Sequence, residues 1–236
     1  MDSHREMIWA GGPAREIMKE ARKRFRDGTR HEDNIPARTA LASVHWSLIK
    51  RYHGWQHTLA VWHMLCAVWH VRRALRLGSL SSYGQVSVVG SILSKSPRWF
   101  GGDIYLASRL IQRTLTSSRS VANEMAEMEP HDEALLEVLL GEIFPKKNES
   151  HRARGCFERA VALRQKIMEE RDSLLARRQW IRVALACGVY FSAQNSLPDQ
   201  HLGRRLLEDA LYFARFLSKD QLPRVRDECT KHGIVP

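Results

Sequence analysis

The chain has 236 residues, 44% of them hydrophobic and 27% charged, with a formal net charge of +11. That length and apolar content can supply a core for one large domain or a short repeat array. The four cysteines (Cys66, Cys156, Cys187, Cys229) are widely separated and form no C-x-x-C pair. They speak against a disulfide scaffold or a cysteine zinc site and for a reducing compartment, so a cytoplasmic protein is expected. The first 30 residues lack an apolar run before a cleavage site and carry acids (Asp2, Glu6, Glu16, Glu20, Asp27), the pattern of neither a signal peptide nor a transit peptide.

In chain order, the first predicted element is a lone helix over 13–30, entered through Gly11-Gly12-Pro13 and marked by Ala14, Met18 and Ala21. Over 36–77 a helix pair is expected. Ser43 and Trp46 serve as its small and aromatic first-helix positions, and Thr58, Trp62 and Leu65 as its second-helix core. Over 82–117, Gly90 and Leu93 precede a loop with two breakers (Ser96 to Gly101), after which Ala107, Ile111 and Thr114 mark the second helix. The run Val86, Val88, Val89, Ile92 is rich in β-branched residues, but one such run forms no sheet and is read as helix.

The clearest pair spans 131–170: Leu140-Gly141 and Phe144, a turn-prone Lys146 to Ser150, then Ala153, Phe157 and Ala160. Small residues let two antiparallel helices approach closely, and the aromatics fill the space between them. Over 174–218 the spacing recurs as Gly188 and Phe191, then Gly203, Leu207 and Ala210, with Pro198-Asp199 breaking the chain before the second helix. A short capping helix is expected over 220–233. The small first-helix positions fall 47, 51 and 47 residues apart, the regularity of a stacked array.

Charge is unevenly placed. Residues 37–121 hold 11 Lys/Arg against one acid, Asp103, whereas residues 122–236 hold 18 of each sign. A localised excess of this kind is an electrostatic footprint for an anionic partner. Its candidate basic face is Arg72, Arg73, Arg76, Lys95, Arg98, Arg109 and Arg113, with Trp99 and Phe100 in the intervening loop. These residues would suit phosphates and unstacked bases, or an acidic protein segment.

The most apolar stretch, His57–Val71, is too short for a spanning helix, which needs about 20 residues. With Arg72, Arg73 and Arg76 next to it, it could lie in a membrane interface, but its Thr58, Trp62 and Leu65 favour a buried second helix. His53 and His57 have the i, i+4 spacing of a metal-ligand pair, yet no H-E-x-x-H string or matched cysteine accompanies them, so no metal is expected. There is no phosphate-binding glycine loop or nucleophile elbow, and no cofactor or catalytic activity is expected. The sequence leaves the oligomeric state open.

The chain resembles the tetratricopeptide-repeat superfamily, closely over 134–167, well over 181–214 and loosely over 37–121. It departs at Glu137, where that pattern prefers Trp, and at Gln165, where it prefers Pro. The resemblance implies an all-α fold, a right-handed superhelix of about four helix pairs plus a leading helix, forming a single domain over 1–236. It also implies a non-catalytic adaptor whose first helices line a groove for a peptide or helix. In this chain the groove positions would be Leu135, Val138, Glu142, Lys146, Arg182, Leu185, Val189 and Ser192, with an acidic or amphipathic protein segment as partner. Nucleic acid or an anionic surface on 37–121 is the alternative.

Overall fold

The computed structural model describes residues 35–49, 57–80, 82–120, 128–169, 174–218 and 221–234. The lone helix expected over 13–30 lies outside these residues. Among the described residues there is no strand, and the regular structure is helical. The helices are α1 (Ile35–Ile49), α2 (His57–Leu77), α3 (Tyr83–Lys95), α4 (Ile104–Ser120) and α5 (Pro130–Ile143). They continue with α6 (Ser150–Ala162), α7 (Arg164–Glu169), α8 (Leu174–Ser192), α9 (Leu197–Leu217) and α10 (Leu222–Lys231). The β-branched run over 85–92 is helical, inside α3. The chain divides into two compact units, Met1–Thr114 and Leu115–Pro236.

Local chemistry sets the helix ends. Ser82 accepts a hydrogen bond from the Gln85 amide at the start of α3, and Asp103 Oδ1 accepts one from Leu106 N at the start of α4. Pro130, Pro198 and Pro223 occupy first-turn positions of α5, α9 and α10, where a missing amide proton costs nothing. Asp132, Glu133 and Asp199 complement the positive helix N-termini. Asn148, in the left-handed conformation with φ 62°, reverses the chain between α5 and α6.

In the first unit, α1 pairs with α2, and α3 packs on both. Gly90 of α3 faces α4: a Cβ there would come within 2.8 Å of the Ile111 side chain. Ala107 and Ile111 are fully buried, as the spacing predicts. The register of α2 is different from that expected. Thr58, Trp62 and Leu65 are exposed, and the buried stripe is Ala67, Val71 and Ala74. That triplet has the same small–large–small spacing nine residues further on. Apolar residues surround α2 on every side from Leu59 to Val71, so periodicity alone marks no face. In α1 the core positions are Leu41, Ala42, Val44 and Leu48, with Ser43 and Trp46 half-buried.

In the second unit, α5 pairs with α6 and α8 with α9, while α8 also packs on α5, α6 and α7, and α10 closes on α9 and α8. The expected contacts between small and large residues are present. A Cβ at Gly141 would meet the Phe157 ring at 2.8 Å, and one at Gly188 would meet Leu207 at 2.8 Å. Gly203 lies closer still, against the Ser192 backbone nitrogen. Fully buried Trp180 and Phe191 each contribute roughly 1.5–3 kcal/mol of apolar burial or more.

Two ion pairs tie α6 and the adjoining α7 to α9. Arg154 grips Asp199 with two hydrogen bonds of 2.9 Å, and Arg164 Nε donates to Asp209 Oδ2 at 2.8 Å. Both join residues 45 apart in sequence, ten positions further along each strand of chain, so the 154–164 segment and α9 run in the same direction. The two hairpins therefore stack with a constant offset.

Candidate functional site

Sequence reasoning puts the partner groove on α5 and α8, and the structure closes much of it. Leu135, Val138 and Leu185 are buried and belong to the core. Glu142, Val189 and Ser192 are half-buried, and only Lys146 and Arg182 are exposed. The reason is the position of α5 in the second unit. Its residues from Ala134 to Gly141 are buried in an unbroken run, where a groove-lining helix would keep one face open.

The basic face has a different outcome. Arg73, Arg76, Lys95, Arg98, Arg109 and Arg113 all reach solvent. Arg72 does not contribute an open charge, because its Nη2 donates to the Gly101 carbonyl at 2.9 Å and fastens α2 to the turn between α3 and α4. Arg76, Arg98, Arg109 and Arg113 form no ion pair among the described residues. The single acid of 37–121, Asp103, turns its carboxylate back onto the start of α4.

That turn is closely built. Arg98–Phe100 form one 3-10 turn, closed by hydrogen bonds from Phe100 N to Pro97 O at 3.0 Å and from Gly101 N to Arg98 O at 2.9 Å. Gly101 has φ 89°, a conformation that a side chain would strain. A Cβ at Gly102 would lie 2.0 Å from the Ser96 carbonyl oxygen, so only glycine fits there. Asp103 N then donates to Leu93 O at 2.9 Å. The result is a fixed platform carrying Trp99, 78% exposed, with its ring 3.7 Å from that of Phe100.

The outward side of α2 is the feature that sequence reasoning missed. Trp62 (61% exposed), Leu65 and Trp69 (56%) lie along it, with Leu59 and Val61 at its edges. Arg73 and Arg76 continue the same face at helical spacing, so the surface is apolar over three turns and then basic. Placing Trp62 and Leu65 in the core hid this face. The signal that could have found it was the second small–large–small triplet at 67, 71 and 74.

Behind that face, between α1 and α2, histidines gather. His45 and His63 meet Nδ1 to Nδ1 at 2.7 Å, the His45 and His70 rings stack with centroids 5.6 Å apart, and Arg38 Nη1 lies 3.2 Å from His70 Nδ1. At 2.7 Å one ring of the His45–His63 pair must donate and the other accept. His53 of the spaced pair considered above lies outside the described residues. Among the described residues no three His, Cys, Asp or Glu side chains converge as metal ligands would.

Along α9, charged side chains pair with one another. Two surface depressions along α9, of about 310 and 610 Å³, include Arg204, Glu208 and Asp209. Glu208 accepts from Arg204 at 3.0 Å and Asp209 from Arg164. No helix among the described residues is long and apolar enough to cross a membrane. No protein-family model, curated protein or solved structure matches the chain.

Proposed function

We propose that this protein is a non-catalytic binding module of the tetratricopeptide type, its helix pairs wound as a right-handed superhelix. It holds an acidic, amphipathic segment of a protein partner on the outward face of α2. The exposure of Trp62, Leu65 and Trp69 beside Arg73 and Arg76 carries this reading. Contiguous apolar surface edged by charge suits a helix with leucines on one side and carboxylates beside them. Tryptophan and arginine are also the side chains that most often dominate binding energy. The second unit supports a scaffolding role, since the carboxylates Glu137, Asp199 and Asp209 are all held by arginines. The four free cysteines support a reducing, cytoplasmic setting.

The test is a titration of the full chain with an acidic peptide bearing leucines at i, i+3, i+4 and i+7, followed by tryptophan fluorescence. Binding should blue-shift the emission and weaken on the order of tenfold or more in the W62A/W69A double variant. A scrambled peptide of equal charge that binds as tightly would reject the α2 face as the recognition surface.

A further inference from the structure

A second surface of the first unit differs in chemistry from the α2 face, and it supports a separate reading that does not depend on the first. From Lys95 to Arg113 the large exposed apolar side chains are Trp99 and Tyr105, both flat aromatics, and no large aliphatic side chain is exposed. They alternate with exposed cations: Lys95 at the end of α3, Arg98 on the turn, and Arg109 and Arg113 on α4. Tyr105, Arg109 and Arg113 follow one another at i, i+4 and i+8, about 6 Å apart along the helix, which is of the order of the spacing between successive phosphates of an extended strand.

We infer that the Lys95–Arg113 edge binds single-stranded nucleic acid, with Trp99 and Tyr105 stacking bases while Arg98, Arg109 and Arg113 hold phosphates. Three observations favour this ligand over a protein segment or a lipid surface. Both aromatics are more than half exposed (78% and 59%), and Trp99 stands on a platform whose backbone is locked by Gly101, Gly102 and the Arg72–Gly101 hydrogen bond. A preset platform spares the entropy of ordering a loop on binding. The lack of exposed aliphatic side chains leaves a protein helix few anchors and an acyl chain nothing to enter. Finally, the segment 37–121 carries 11 basic residues against the single Asp103, so the potential around the edge is positive. Stacking on aromatic faces tolerates any base, so the site should show little sequence preference.

The experiment measures fluorescence anisotropy of labelled oligouridine and of a mixed-sequence DNA strand with the full chain, starting at about 50 mM salt. Binding is expected to fall steeply with salt. The W99A/Y105A variant should bind on the order of tenfold or more weakly, and W99F should restore much of the loss. The R109Q/R113Q variant should flatten the slope of log K against log salt by about 1.4, two phosphates at about 0.7 each. Poly-glutamate and phosphatidylserine vesicles serve as competitors. Absence of binding at the lowest salt, affinity unchanged in W99A/Y105A, or equal competition by either of those polyanions would each overturn the assignment. Because all of these residues are exposed, circular dichroism of the variants should match the parent, so a loss of binding reports on the site.

Discussion

Arg159 holds Glu137 with two hydrogen bonds, Nε to Oε1 at 2.8 Å and Nη2 to Oε2 at 3.0 Å, across the α5–α6 hairpin. Glu137 is fully buried, while half of the Arg159 side chain stays in contact with water. The pair explains how a carboxylate can occupy this core position. Removing the arginine takes both of these hydrogen bonds and their positive charge from a buried carboxylate. R159A should therefore cost about 2–3 kcal/mol, below the 3–5 typical of fully buried pairs because solvent reaches this one from the arginine side. Urea unfolding checks it. A loss under 0.5 kcal/mol would mean that water has access to Glu137.

The glycines separate close packing from mere tolerance. In G203A the new methyl would meet the Ser192 backbone nitrogen at 2.4 Å, and backbone cannot swing away as a side chain can. That variant should lose about 3 kcal/mol or more. G155A, also within a helix, meets only the Arg159 Nη1 tip at 3.3 Å and gains helix propensity. Its stability should stay within about 0.5 kcal/mol of the parent, or rise slightly. Thermal melts of the two proteins side by side decide the matter, and equal losses would contradict the packing described.

Thiol reactivity offers a probe that needs no partner. Burial pushes the Cys156 thiol up to about 12, helped by the neighbouring Glu137, and burial likewise raises Cys187 and Cys229. Only Cys66 is partly open to solvent. At pH 8 a disulfide reagent should modify one thiol of the native protein quickly and three only as fast as the chain opens. C66S should abolish the fast phase.

On the acid side, a hydrogen bond from Lys147, reinforced by Arg152, holds the Glu149 carboxyl below its usual value of 4.5. A lowered folded-state value contributes stability above the unfolded value, and that contribution fades as pH falls through the lowered one. The difference between the parent and E149Q should therefore be constant at neutral pH and shrink below about pH 4.5. Carbon-detected NMR titration of Glu149 reads the same shift directly.

The hairpin contacts were the most legible part of the chain. Gly90 against Ile111, Gly141 against Phe157 and Gly188 against Leu207 agree with the spacing of small and large positions, because a glycine leaves room that a large side chain opposite can fill. The facing of α2 was not legible, since a helix apolar on all sides names no buried stripe. Nor was the burial of Leu135 and Val138 in α5 and of Leu185 in α8, which depends on how many neighbours surround each helix rather than on the helix itself. The basic face was visible as composition. The anchoring of Gly101 by Arg72 left no trace in the sequence, because the two are 29 residues apart.

The twin ties Arg154–Asp199 and Arg164–Asp209 share one stride along the chain. A slip of α9 by a single helical turn would break both together, with no intermediate seating in which one compensates for the other. Neighbouring hairpins are thus keyed like a ratchet with one tooth. Loss of either tie leaves the other in the same register, and the packing of α9 on α8 holds the helix beneath them.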